Sequence, residues 1–143
     1  MKKFIIFCFI FIFYILFLIP AHAVSYPSFS GYVNDLAGLY SSQFKSNLES
    51  KLSDFEKSTG SEVAVVTVKS LEGTDIETYA VKLFEKWKIG KKGRDNGLLL
   101  LISKDDRKIR IEVGYGLEQY ITDGRAGEIN RNQISPEFKK ENY

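Results

Sequence analysis

Two runs of this chain carry almost no charge: "EVAVVTV" at 62–68 and "LLLLIS" at 98–103. Neither alternates polar with apolar, which marks strands covered on both faces, as in a parallel sheet. Between them Ile76, Tyr79, Ala80, Leu83, Phe84 and Trp87 fall on one helical stripe, with Thr74 or Asp75 placed to cap it and Ile89-Gly90 to end it. A strand, helix and strand in one sheet cross over right-handed, so the two runs lie parallel and Trp87 belongs to the core.

The flanks complete the architecture. After a tight turn at Asp105-Asp106, Ile109, Ile111 and Val113 alternate with Lys108, Arg110 and Glu112, giving a strand with one wet face that returns antiparallel. Upstream, Phe44, Leu48, Leu52 and Phe55 predict an amphipathic helix capped by Ser41 or Ser42 and stopped at Thr59-Gly60. Tyr32-Val33 reads as extended and Asn34-Asp35 as a turn. Downstream, Ala126, Ile129 and Gln133 share a helical face that Ser135-Pro136 closes. The expected fold is α/β, a three-layer α/β/α arrangement with a mixed, mainly parallel central sheet and a C-terminal β-hairpin strand.

Lys2 and Lys3 precede an uncharged run from Phe4 to Ile19, followed by Pro20 and Ala21-His22-Ala23. That is the plan of a secretory signal peptide cleaved after Ala23, and the run is short of the roughly 20 apolar residues of a membrane span. The expected organisation is a signal peptide at 1–23, a polar lead at 24–31 and one domain at 32–143, placed outside the cytoplasmic membrane as a periplasmic, cell-surface or secreted protein. Cleavage removes Met1, Cys8 and His22, the sole methionine, cysteine and histidine. The mature domain then has no Ser-His-Asp or Cys-His catalysis and no zinc site of Cys or His. It has no disulfide either, so its core must hold it together. Lys2 and Lys3 account for the net charge of +2, which leaves the mature chain balanced and without a field that would draw nucleic acid. Lys86, Lys88, Lys91, Lys92 and Arg94 form a local basic cluster, suited to an anionic ligand or simply to a helix C-terminus.

If the two apolar strands run parallel, both begin at the end of the sheet where the antiparallel strand finishes. Asp95-Asn96, Tyr115-Gly116 and Glu118 converge there, with Asp123 a few residues beyond. Carboxylates and carbonyls without His or Cys suit a hard cation, Ca²⁺ or Mg²⁺. The candidate metal ligands are Asp95, Glu118 and Asp123, and the candidate ligand-binding residues are Arg94, Asn96, Tyr115 and Gly116. Gly114 and Gly116 permit close backbone approach or positive φ. The same residues also have structural readings: Asp95-Asn96-Gly97 is a turn tripeptide, and Glu118 or Asp123 can cap a helix. "GYGLEQ" is no dinucleotide fingerprint, because Gln119 stands where the third glycine belongs, and "KKGRDNG" lacks the ending of a phosphate-binding loop. Asp35 and Asp105-Asp106, at the other end of the sheet, are the second place to look for a site.

In "VNDLAGLYS", "TGSEVAVVTVKSLEG", "IETYAVKLFEKWKIGKKGRDNGLLLLIS", "DDRKIRIEVGYGLE", "TDGRAG" and "ISPEFK", the chain resembles the TPM domain family from about Tyr32 to its end. The resemblance implies a mixed sheet between helices and a location outside the cytoplasmic membrane. It also implies roles that differ between members: acid phosphatase activity, calcium binding, or assembly and repair of membrane protein complexes. The family's acidic and glycine positions map onto Asp35, Asp95, Asn96, Gly97, Asp105, Asp106, Gly114, Tyr115, Gly116, Glu118 and Asp123. Members usually continue with another helix and often a membrane segment, so a chain ending "FKKENY", with Glu141-Asn142 where Gly-Asp is usual, is expected to be truncated. Two functions follow. The first is an accessory module for a membrane protein or envelope complex, binding a divalent cation. The second is a metal-assisted acid phosphatase, in which Asp95 or Asp123 orients a metal-bound water and Lys92 or Arg94 holds phosphate. Without His or Cys, a phosphatase needs an Asp nucleophile or a metal cluster, and no clear motif for either stands in the sequence, which favours the first.

Overall fold

The two apolar runs become the central strands of a four-stranded sheet. The computed structural model describes residues 24–140 and Tyr143; the expected signal peptide and Glu141-Asn142 lie outside the described residues. In chain order the elements are β1 (Val33–Asp35), α1 (Ser42–Thr59), β2 (Glu62–Val68), α2 (Ile76–Trp87), β3 (Gly97–Ser103), β4 (Lys108–Val113), a 3₁₀ turn (Tyr115–Leu117), α3 (Asp123–Ile129), a π turn (Asn130–Ile134) and α4 (Ser135–Phe138). The sheet order is β1-β2-β3-β4. β1 and β3 both run parallel to β2, with Val33 beside Val65 and Val65 beside Leu100, and β4 lies antiparallel to β3 with Ile111 beside Leu100.

The period-two parity of the strands divides the core. Ala64, Val66, Val68, Leu99 and Leu101 face Ile76, Tyr79, Ala80, Leu83 and Trp87 of α2. Asp75 caps α2 by accepting from the Thr78 amide, and Lys88 ends it in a left-handed conformation with φ 54°. The lead segment is part of this layer. Tyr26 lies 4.8 Å from Tyr79 and Phe29 5.2 Å from Trp87 between ring centroids, and the Trp87 indole donates to the Pro27 carbonyl at 2.8 Å. Polar composition hid this strap, because its grip comes from two aromatic rings and from carbonyls that any residue supplies.

Three sequence expectations are corrected. Asn34-Asp35 belongs to β1 and is not a turn: Asn34 satisfies itself locally, donating to the Gly31 carbonyl at 2.6 Å and accepting from the Ser30 amide at 2.9 Å, which lets a polar residue sit buried in a strand. Helix α1 forms with the expected cap, Ser41 accepting from Phe44, and the expected stop, Gly60 at φ 76°, but buries no residue fully. Within the sheet it lies against β1 and β2, so Leu48 and Leu52 are half covered while Phe44 and Phe55 stay 46% and 43% exposed. Finally, Ser135-Pro136 does not end the last helical segment. The Ser135 amide donates five residues back to the Asn130 carbonyl, and this π turn brings Pro136 into the first turn of α4, where its missing N–H costs nothing.

Candidate functional site

The end of the sheet where β2 and β3 begin is built by backbone approaching backbone. A Cβ on Gly114 would lie 2.2 Å from the Asp95 carbonyl oxygen, and one on Gly116 would lie 1.9 Å from that of Arg94. Neither glycine has positive φ, so it is the absence of a side chain that these positions require. The contact is closed by the Gly114 amide donating to Gly97 at 2.8 Å and the Gly116 amide donating to Asp95 at 3.0 Å. One strand further in, a Cβ on Gly97 would meet the Ile89 carbonyl oxygen at 2.5 Å. Glu62 accepts from the Gly90 amide at 2.8 Å, and Asn96 accepts from the Lys91 amide at 3.0 Å and donates to the Gly60 carbonyl at 2.7 Å. The 88–97 loop is thereby fixed on three sides, and Asp95 is held in the left-handed region at φ 48°. Backbone held in a sparsely populated region by its surroundings is a feature that gathers at ligand sites.

Beside this loop a cleft of about 770 Å³ runs between the end of α2 and β4. Asp95, Glu118, Asp123 and Tyr115 all line it, so the structure brings together four of the seven residues expected at the site. Tyr115 stands at the rim, 82% exposed. Gly116 acts through its backbone, and Asn96 is buried with both ends of its amide engaged, so its part is to hold the loop. Arg94 does not line the cleft: its guanidinium lies near Gly60, 3.4 Å from where a Cβ would stand. The cations that do line it are Lys88, Lys91, Lys92 and Arg110. Arg110 and Glu112 were read as a solvent-facing row, yet they share the sheet face on which α2 packs and pair with each other at 3.1 Å. The signal was present in the sequence, since an alternating strand at a sheet edge must turn one row toward the neighbouring helix.

Among the described residues, no three Asp, Glu, His or Cys side chains gather closely enough to hold a metal. Asp95, Glu118 and Asp123 share a cleft without converging on a point. Lys91 is drawn aside to Glu56, whose other oxygen accepts from the Tyr32 hydroxyl. The hydrogen bond from Lys91, then that from Tyr32, holds the Glu56 carboxyl below its usual range.

At the other end of the sheet the carboxylates serve the fold. Asp106 accepts from the Ser103 hydroxyl at 2.6 Å and the Leu71 amide at 2.8 Å, and these bonds lower its pKa. Burial pushes Asp35 up, but the Thr67 hydroxyl and the amides of Tyr40 and Leu39, at 2.9 and 3.0 Å, outweigh it and hold the carboxyl low.

Fold and cleft together define a small α/β domain with a candidate site at one end of a mixed sheet. The chain belongs to the TPM domain family, whose sequence model matches residues 33–143. UPF0603 protein YdjH of Bacillus subtilis (strain 168) is 28% identical over 126 residues, covering 88% of this chain and 47% of that protein, so the chain spans about half the length of this curated relative. A solution NMR structure of the N-terminal domain of a P. gingivalis protein superposes with a TM-score of 0.73 at 37% identity, covering 78% of this chain and 71% of that one. The N-terminal domain of cg2496 from Corynebacterium glutamicum shares the fold, with a TM-score of 0.60 at 22% identity over 85% of this chain and 76% of that one.

Proposed function

We propose that this TPM domain is an exported accessory module that engages a membrane-protein or cell-envelope partner through the cleft, with Ca²⁺ or Mg²⁺ taken up among Asp95, Glu118 and Asp123. One observation supports the reading above others. Among the described residues these three carboxylates take part in no hydrogen bond or ion pair with the protein, and neither do the ammonium groups of Lys88 and Lys92 across the same cleft. The donor set is all oxygen, which fits a hard cation, and uptake would draw together side chains now held apart. The cleft lining includes no Ser, Thr, Cys or His, so hydrolysis there would have to use a carboxylate such as Asp95 or Asp123, or a metal-bound water.

A second reading, phosphomonoester hydrolysis, is favoured by Lys88, Lys92 and Arg110 standing beside the carboxylates and by the family model's name, TPM phosphatase. Titration calorimetry with CaCl₂ and MgCl₂, run beside hydrolysis of para-nitrophenyl phosphate, separates the two. The binding reading expects saturable uptake of one cation and no turnover. Turnover that disappears in Asp95→Asn would transfer the site to hydrolysis, and no heat with either ion would remove the cation from the cleft.

A further inference from the structure

The two edges of the sheet are finished differently. At β1, Glu49 of α1 accepts from the Tyr32 amide at 2.8 Å and the Val33 amide at 2.7 Å, which closes a strand only three residues long. At β4 the Gly114 amide donates to Gly97, so hydrogen-bonded pairs with β3 recur at Glu112, Arg110 and Lys108. The backbone groups of Ile109, Ile111 and Val113 therefore point outward. Asn130 donates to the Ile109 carbonyl at 2.8 Å; among the described residues the outward groups of Ile111 and Val113 take no bond. Such a row is a template for another strand.

The side chains select the occupant. Antiparallel pairing of β4 with β4 of a second copy, centred on Ile111, uses the outward-facing groups and sets Ile109 opposite Val113. It also sets Arg110 opposite Glu112 twice, once on each side of the two-fold axis. Centring on Ile109 would put Arg110 against Lys108, a like-charge pair that destabilises, and centring on Val113 would carry Arg110 past the end of the strand. We infer that β4 is a self-complementary edge through which two copies of this chain join their sheets. Arg110 and Glu112 already pair within each strand while staying 32% and 19% exposed, so the four charges would form an alternating network. The inner bonds between the Ile111 residues displace nothing, and the Ile109 carbonyl has a second lone pair beside the one Asn130 uses. The two-fold contact closes on itself, and Glu49 blocks growth at the far edge, so assembly stops at the dimer.

An interface of one short strand is small, so the dissociation constant should be on the order of 0.1 mM. Sedimentation velocity on protein purified after expression of the full chain is expected to show a monomer-to-dimer shift across that range. Arg110→Glu and Glu112→Arg should each lose dimerisation by at least about tenfold, because each places like charges opposite one another. An equimolar mixture of the two variants should regain it as a heterodimer, and hydrogen exchange should show concentration-dependent protection at the Ile111 and Val113 amides. A monomer throughout, association that persists in both single variants, folded variants that fail to pair when mixed, or unprotected Ile111 and Val113 amides would each overturn the proposal.

Discussion

The two ends of the sheet hold similar numbers of carboxylates and treat them in opposite ways. Asp35 and Asp106 each accept at least two hydrogen bonds from the chain and carry pKa values held low by them. Asp95, Glu118 and Asp123 line a cleft beside Lys88 and Lys92, whose ammonium groups bond nothing among the described residues. The distinction is made by backbone donors. Where a loop turns its amides toward a carboxylate, the charge is absorbed into the fold. Where two loops are pressed together through glycines, their amides bond each other and leave the side chains to solvent or a ligand. An acidic residue therefore points to function only after the donors around it have been counted.

The largest expected effect comes from breaking the glycine contact that builds the cleft end. Gly116→Ala would place a methyl group 1.9 Å from a backbone oxygen, which only movement of the 88–97 loop or the 3₁₀ turn can relieve. A loss of about 3 kcal/mol in urea unfolding is expected, at the upper end for overpacking. A loss below about 0.5 kcal/mol, the range of ordinary surface changes, would show that the turn is not seated on the loop.

Next in size is the far end. Asp35→Ala strips the acceptor from two amides and the Thr67 hydroxyl, and should cost about 2 kcal/mol at neutral pH, as for hydrogen bonds to a charged group. The pH dependence has a fixed sign. Because the folded pKa of Asp35 is depressed, its stabilisation is present above the unfolded value of about 3.9 and is lost as pH falls through the folded value. Parent and variant should therefore converge in stability as unfolding is followed downward from about pH 4. A constant gap between them would mean that Asp35 acts by packing and not by charge.

The same contrast explains what the sequence disclosed. The β2-α2-β3 crossover was legible because long apolar runs and a six-residue stripe leave a single way to bury themselves. β1 was not, since three residues containing Asn and Asp carry no period and join the sheet through local bonds of Asn34 that no pattern announces. The exposure of α1 was hidden because amphipathic spacing says which face of a helix turns inward but not how much sheet lies there to receive it. The meeting of Asp95, Glu118 and Asp123 at one end of the sheet was legible from topology, while the cleft they line was not. Arg94 was misplaced and Arg110 missed because the direction of a side chain within a loop or at a sheet edge depends on tertiary contacts.

The smallest expected effect is the sharpest test of the comparison. Asp95→Asn with Glu118→Gln replaces two carboxylates that bond nothing among the described residues, by residues of equal size. Unlike Asp35→Ala, the double variant should unfold within about 0.5 kcal/mol of the parent. Its difference should appear only with a ligand present: a cation that binds the folded state alone raises the parent's melting temperature by mass action, and the variant should not respond. A large loss of stability in the absence of cation would mean that these carboxylates, too, are absorbed into the fold. An equal rise in both proteins would place the cation elsewhere, and the cleft would keep Lys88, Lys92 and Arg110 as a site for an anion alone.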